Sequence, residues 1–175
     1  MSDGRITGSC DVGRAERMLR DWREAARMAA PRGLADATDT LRLETRVRLL
    51  RQSHAPGTPT PSVAPEPPAA ISGHLARSVR ALPVIEEGLS RFRSAVRTEG
   101  VVYAAIQQWG GTVRAHHLTA SGKPGWLGWG GTPGHREHFA RSVTLPPRPY
   151  LSTRERAVAT MWRAVPRAIR DAWRR

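Results

Sequence analysis

Residues 139–162 read FARSVTLPPRPYLSTRERAVATMW and carry a strand, a rigid exit and a helix in succession. Phe139, Val143 and Leu145 alternate with Ala140, Ser142 and Thr144, the period of a half-buried strand. Pro146, Pro147 and Pro149 bracket Arg148 and hold the chain extended as it leaves the sheet. Ser152 followed by Glu155 matches a capping box, after which Val158, Met161, Trp162, Val165, Ile169 and Trp173 recur at helical spacing. Pro166 falls inside that pattern and is expected to kink or interrupt a helix over 152–175. A strand that feeds a helix through a proline frame predicts an α+β fold.

Upstream, ISGHLARSVRALPVIEEG (71–88) places Leu75, Val79, Leu82, Val84 and Ile85 in a stretch of β character, with Glu87-Gly88 as a turn signal. Residues 91–97 set Phe92, Ser94 and Val96 against Arg91, Arg93 and Arg97, so this strand is expected to pair with its predecessor as a hairpin. VVYAAIQQW (101–109) is apolar enough for burial, and Gly110-Gly111 ends it. Eight of the sixteen glycines fall between positions 110 and 134, together with Trp126 and Trp129, which predicts a long loop or flap over 112–138. The sheet then has about four antiparallel strands.

The first 54 residues read as two helices. Ala15, Met18, Leu19, Trp22, Ala25, Ala26 and Ala29 form one apolar stripe, which Pro31 and Gly33 are expected to stop. A second helix over 34–53 sets Leu43, Val47 and Leu50 on one face, with Arg42, Arg46, Arg48 and Arg51 around the rest. APGTPTPSVAPEPPAA (55–70) contains six prolines and no regular period, so it predicts an extended connector or arm. The chain thus divides into a helical segment 1–54, a connector 55–70 and an α+β core 71–175, all within one domain.

Length and charge narrow the function class. The chain has 175 residues and a formal net charge of +13, with Lys123 the only lysine among 28 basic side chains. Cys10 stands alone, so a disulfide scaffold is excluded, and no apolar run nears the ~20 residues of a membrane span. These features predict a soluble protein of a reducing compartment with no membrane partner. The basic excess suggests nucleic acid, but arginine also serves protein interfaces. It is densest over 152–175, where Glu155 and Asp171 oppose seven arginines.

No catalytic constellation emerges. His116, His117, His135 and His138 cluster in or beside the glycine-rich stretch, yet only Glu137 is near to complete a metal shell. The chain lacks Asn, the serines show no nucleophile elbow, and Gly128-Trp129-Gly130-Gly131 lacks the Lys-Ser or Lys-Thr of a phosphate loop. No enzyme, metal or cofactor is therefore predicted. Six tryptophans against two tyrosines and two phenylalanines shift attention to binding surfaces. Trp22, Trp162 and Trp173 fit helical stripes, whereas Trp109, Trp126 and Trp129 sit among glycines, as interface anchors or a local cluster.

Three stretches, read in order, resemble the tail-completion and virion-morphogenesis proteins of tailed bacteriophages, the Mu-type family and related head–tail joining proteins. SGHLARSV (72–79) is similar to the family's tGxLxxSi segment, YAAIQQWGG (103–111) to YAxxhQfGG, and LPPRPYL (145–151) to ipaRPFL. Gln107 stands where the family commonly has His, and Trp109 where it has Phe. The resemblance covers roughly residues 71–170. It implies an antiparallel sheet with flanking helices and a non-enzymatic subunit. That subunit would form a ring, often a hexamer, capping the tail tube and meeting the head-tail connector or stopper protein, with DNA passing transiently through the lumen. Localisation would be the virion neck, after assembly in the host cytoplasm. Tyr103, Gln108, Trp109, Arg148 and Tyr150 are then fold-defining or interface positions. The competing expectation is a basic nucleic-acid-binding module whose C-terminal helix lies along phosphates, with Arg163, Arg167 and Arg170 as DNA or partner contacts.

Overall fold

The computed structural model describes residues 11–51, 64–70, 72–88, 91–114, 127–129, 138–140 and 142–174. It is α+β, with four helices and small antiparallel ladders. The two helices expected over 11–53 are one, α1 (Val12–Leu50), capped by the Asp11 carboxylate accepting from the Arg14 N–H at 3.0 Å. Pro31 lies inside it. Proline deprives the Arg27 carbonyl of its helical donor, but packing on both sides of Pro31 outweighs that local cost.

Gly33 is the reason for that packing, and its expected role as a stop signal is corrected. A Cβ there would lie 2.7 Å from the Val165 Cα and 3.0 Å from the Ala168 Cβ. Only glycine lets α1 approach so closely to the last helix, α4 (Arg154–Trp173). These two helices form the principal interface of the chain. The expected apolar face of the second half of α1 is also corrected: Leu43, Val47 and Leu50 are exposed, whereas Gly33, Ala37, Thr38, Thr45 and Leu49 are buried. Thr38 satisfies its hydroxyl by donating to the Leu34 carbonyl at 2.8 Å.

α4 runs unbroken through Pro166. Its N-cap is Thr153 rather than Ser152, and the Thr153 hydroxyl accepts from the Arg156 N–H at 3.3 Å. The connection to α1 is reinforced by Arg156, which forms a two-pronged ion pair with Glu44, its Nε lying 3.1 Å from Oε2.

Residues 74–81 begin with a short helix, α2 (His74–Ser78), in place of the expected strand, and continue as β1 (Val79–Ala81). The predicted hairpin is present. β1 pairs with β4 (Val96–Thr98), and further out β2 (Ile85–Glu86) pairs with β3 (Phe92–Arg93). Between the two ladders Pro83 lacks an N–H, while the Leu82 N–H donates to Ala95 O and the Ser94 hydroxyl donates to Leu82 O. This hairpin lies against α1.

The apolar run 101–109 becomes α3 (Ala104–Trp109). A second pair of nested ladders follows: β5 (Gly111–Arg114) with β8 (Ser142–Leu145), and β6 (Leu127–Trp129) with β7 (His138–Ala140). Part of the stretch expected to be loop is therefore paired strand. Among the described residues all ladders are two-stranded, where about four strands in one sheet were expected. The connector over 55–63, Trp126, and three of the clustered histidines, His116, His117 and His135, lie outside the described residues. No described helix is long and apolar enough to cross a membrane.

Candidate functional site: a joint formed by three distant segments

The core is small and gathers residues far apart in the chain. Leu49 of α1, Leu75 and Ala76 of α2, Val79 of β1, Ala104 of α3 and Tyr150 form one buried cluster, with Val96, Val101 and Leu151 packed against it. Tyr150 is 1% exposed, and its hydroxyl donates to the Ala104 carbonyl at 3.2 Å. Burial pushes its phenol above the ordinary tyrosine range.

Around Tyr150 the backbone follows no helix or strand, so its polar groups need other partners. Gln108 supplies them. Its side-chain Oε1 accepts from the N–H groups of both Tyr150 and Leu151, each at 3.0 Å, while the Arg148 N–H donates to the Gln107 carbonyl at 2.8 Å. Arg48 reaches in from α1 and donates to the carbonyls of Tyr150 and Leu151, at 3.4 Å each. The turn after α3 completes the joint. Gly110 has φ 70°, and a Cβ there would stand 2.8 Å from the Pro147 N, so α3 and the proline frame touch backbone to backbone.

The expected positions divide into two groups. Gln108, Tyr150 and the backbone of Arg148 meet in the joint, and Tyr103 stands at its edge, half-exposed. Trp109 points away and is 76% exposed. Trp129 lies in β6, apart from the joint in sequence and ladder. Arg163, Arg167 and Arg170 are exposed on α4 and take no part in it. Arg48 was missed by the sequence reading, which set it around the rest of a helix whose apolar face was Leu43, Val47 and Leu50; with that face misassigned, no local signal marked it.

A cavity of about 330 Å³ lies between α1, α4 and the first hairpin. Thr45 and Ser152 border it, and neither hydroxyl has a hydrogen-bond partner among the described residues. The arrangement holds segments in register, and among the described residues of the joint no nucleophile is paired with a base. Among the described residues no three His, Cys, Asp or Glu side chains are grouped to hold a metal. No protein-family model, no curated protein and no solved structure matches the chain.

Proposed function

We propose that this chain is a non-enzymatic structural subunit of a tailed bacteriophage, a tail-completion or tail-terminator protein. It forms a ring that caps the tail tube and joins it to the head connector. One observation carries the reading: the three stretches that resemble this family converge on one joint. Leu75, Ala76 and Val79 come from the first, Ala104 and Gln108 from the second, and Tyr150 and Leu151 from the third. Residues that lie ~30 to 75 positions apart are thus mutually dependent, as expected when the motifs encode one structural unit.

The surface suits assembly. Trp109 at 76% and Tyr103 at 45% exposure flank the joint and offer aromatic contact area for a neighbouring subunit. A ring subunit of this kind uses a heterologous interface that closes by rotation. DNA in the lumen would meet the basic surface through phosphates, without base reading. The Arg163, Arg167 and Arg170 side chains are exposed, and this favours duplex binding as the second reading.

Sedimentation of the purified protein and electron microscopy with tail tubes test the proposal. Closed oligomers seated at one end of the tubes are the expected result. A strictly monomeric protein that never engages tubes overturns it, and duplex binding lost on deletion of residues 152–175 would favour the second reading instead.

A further inference from the structure

α4 presents three lengthwise faces. Ala157, Ala164 and Ala168 are the small residues on the side of α1, and a Cβ on Gly33 would meet Ala164 and Ala168. A second face carries Val158, Trp162, Ile169 and Trp173, and a third carries Arg156, Arg163, Arg167, Arg170 and Arg174. None of the 20 residues of α4 is buried, although the helix is strongly two-sided in its chemistry. Trp162 is 69% exposed, Trp173 42% and Trp22, contributed by α1, 51%. These three tryptophans, with Met161, Val165 and Ile169, border a groove of about 580 Å³. Pro166 also lines it and has no N–H for the Trp162 carbonyl, which leaves that acceptor without its helical donor.

We propose that this groove docks an acidic amphipathic helix from a different protein, apolar side down and carboxylates toward the arginine face. Charge complementarity selects the occupant. Among the described residues, Arg170 is the only charged one lining the groove, and neither Arg170 nor Arg174 has an ion-pair partner, whereas Arg156 and Arg167 do. A second copy of the chain is disfavoured by the net charge of +13 that each copy carries. A duplex would satisfy the arginines but leave the tryptophans unfilled, and a bilayer favours a convex or flat face over a groove between two helices. The groove runs from Met161 to Trp173, about 18 Å at the helical rise, which accommodates roughly three turns of a partner. This inference rests on α4 and Trp22 and is independent of the ring reading.

The test uses the full chain and a fluorescein-labelled peptide of about four helical turns, with Leu at i, i+3, i+4, i+7 spacing and Glu at the flanking positions. A peptide of the same pattern with Lys in place of Glu is the control. Anisotropy should show saturable binding of the Glu peptide and binding of the Lys peptide weaker by about tenfold or more. W162A and W173A should each weaken the Glu peptide about tenfold, and W162A should leave the thermal unfolding curve in place, because Trp162 is largely exposed. R170E should weaken the Glu peptide and strengthen the Lys peptide. The proposal is overturned if the Glu peptide does not bind, or if it binds equally well to W162A. Self-association abolished by W162A would assign the groove to a second copy. Tighter W162-dependent binding to a short DNA duplex or to phosphatidylglycerol vesicles would assign it to those partners.

Discussion

The two halves of α1 are built on opposite plans. From Ala29 onward the covered face is made of small or modest residues, Ala29, Gly33, Ala37, Thr38 and Thr45, and ends on Leu49. Before it, every residue from 14 to 24 is exposed, and the large apolar side chains Met18, Leu19 and Trp22 stand open at 51%, 67% and 51%. Among the described residues, helix-to-helix contact is made by close backbone approach, and bulk is kept for surfaces that they leave exposed. Contiguous exposed apolar surface of this kind marks interaction sites in soluble proteins.

The sharpest way to break this contrast is to add a methyl group in each half of the same helix. Gly33→Ala should destabilise the fold by about 1–3 kcal/mol, since the new Cβ meets the α4 backbone and one helix must retreat. Gly13→Ala should instead leave stability unchanged or raise it by about 0.5 kcal/mol, because its Cβ meets only ordinary contacts at 3.5 Å and beyond. Denaturant midpoints for the two variants, measured side by side, should fall for Gly33→Ala and stay level or rise for Gly13→Ala. Equal shifts would erase the distinction between covered and open halves.

The joint at the covered end is expected to be nearly as sensitive. Gln108→Ala leaves the Tyr150 and Leu151 N–H groups without their acceptor and should cost about 1–3 kcal/mol. Thr45→Val removes a buried hydroxyl that lacks a partner while keeping its shape, so chemical denaturation should show a neutral or stabilising change of up to about 1 kcal/mol. A loss of more than that would mean that the hydroxyl has a partner beyond the described residues.

The smallest expected effect is the dependence on pH. The Arg156 guanidinium, hydrogen-bonded to Glu44, holds the Glu44 carboxyl below its ordinary value of 4.5. A carboxylate depressed in this way adds stability that is fully present above the unfolded-state pKa and lost as pH falls through the folded value. The covered half should therefore weaken below about pH 4.5, and Glu44→Gln should remove that part of the slope. Unfolding midpoints taken through this range, at low and high salt, provide the check.

Much of the fold was legible where the pattern depends on local chemistry. The alternation at 91–97 gave the first hairpin, and the stripe from Val158 to Trp173 gave α4. The joint was not legible in periodicity, since nothing in the spacing of Gln108 and Tyr150 says that one side chain will accept from two backbone N–H groups 42 and 43 residues away. Pro31, Gly33 and the choice of face on α1 were misread for a shared physical reason. Each depends on how closely α4 approaches, and a single helix carries no local mark of its partner's distance. Ser152 was taken for the cap because its pattern with Glu155 is sound, but Thr153 provides an equivalent hydroxyl one residue later.

The double acceptance by Gln108 also makes the joint a clock for the core. Tyr150 and Leu151 belong to no regular element, and amides in such segments normally trade hydrogen for deuterium within seconds through local fraying. Here both are tied to one oxygen beneath a buried ring. Isotope uptake at these two positions should then follow the opening of the whole cluster, so that an irregular stretch of chain reports global stability as faithfully as the middle of a helix.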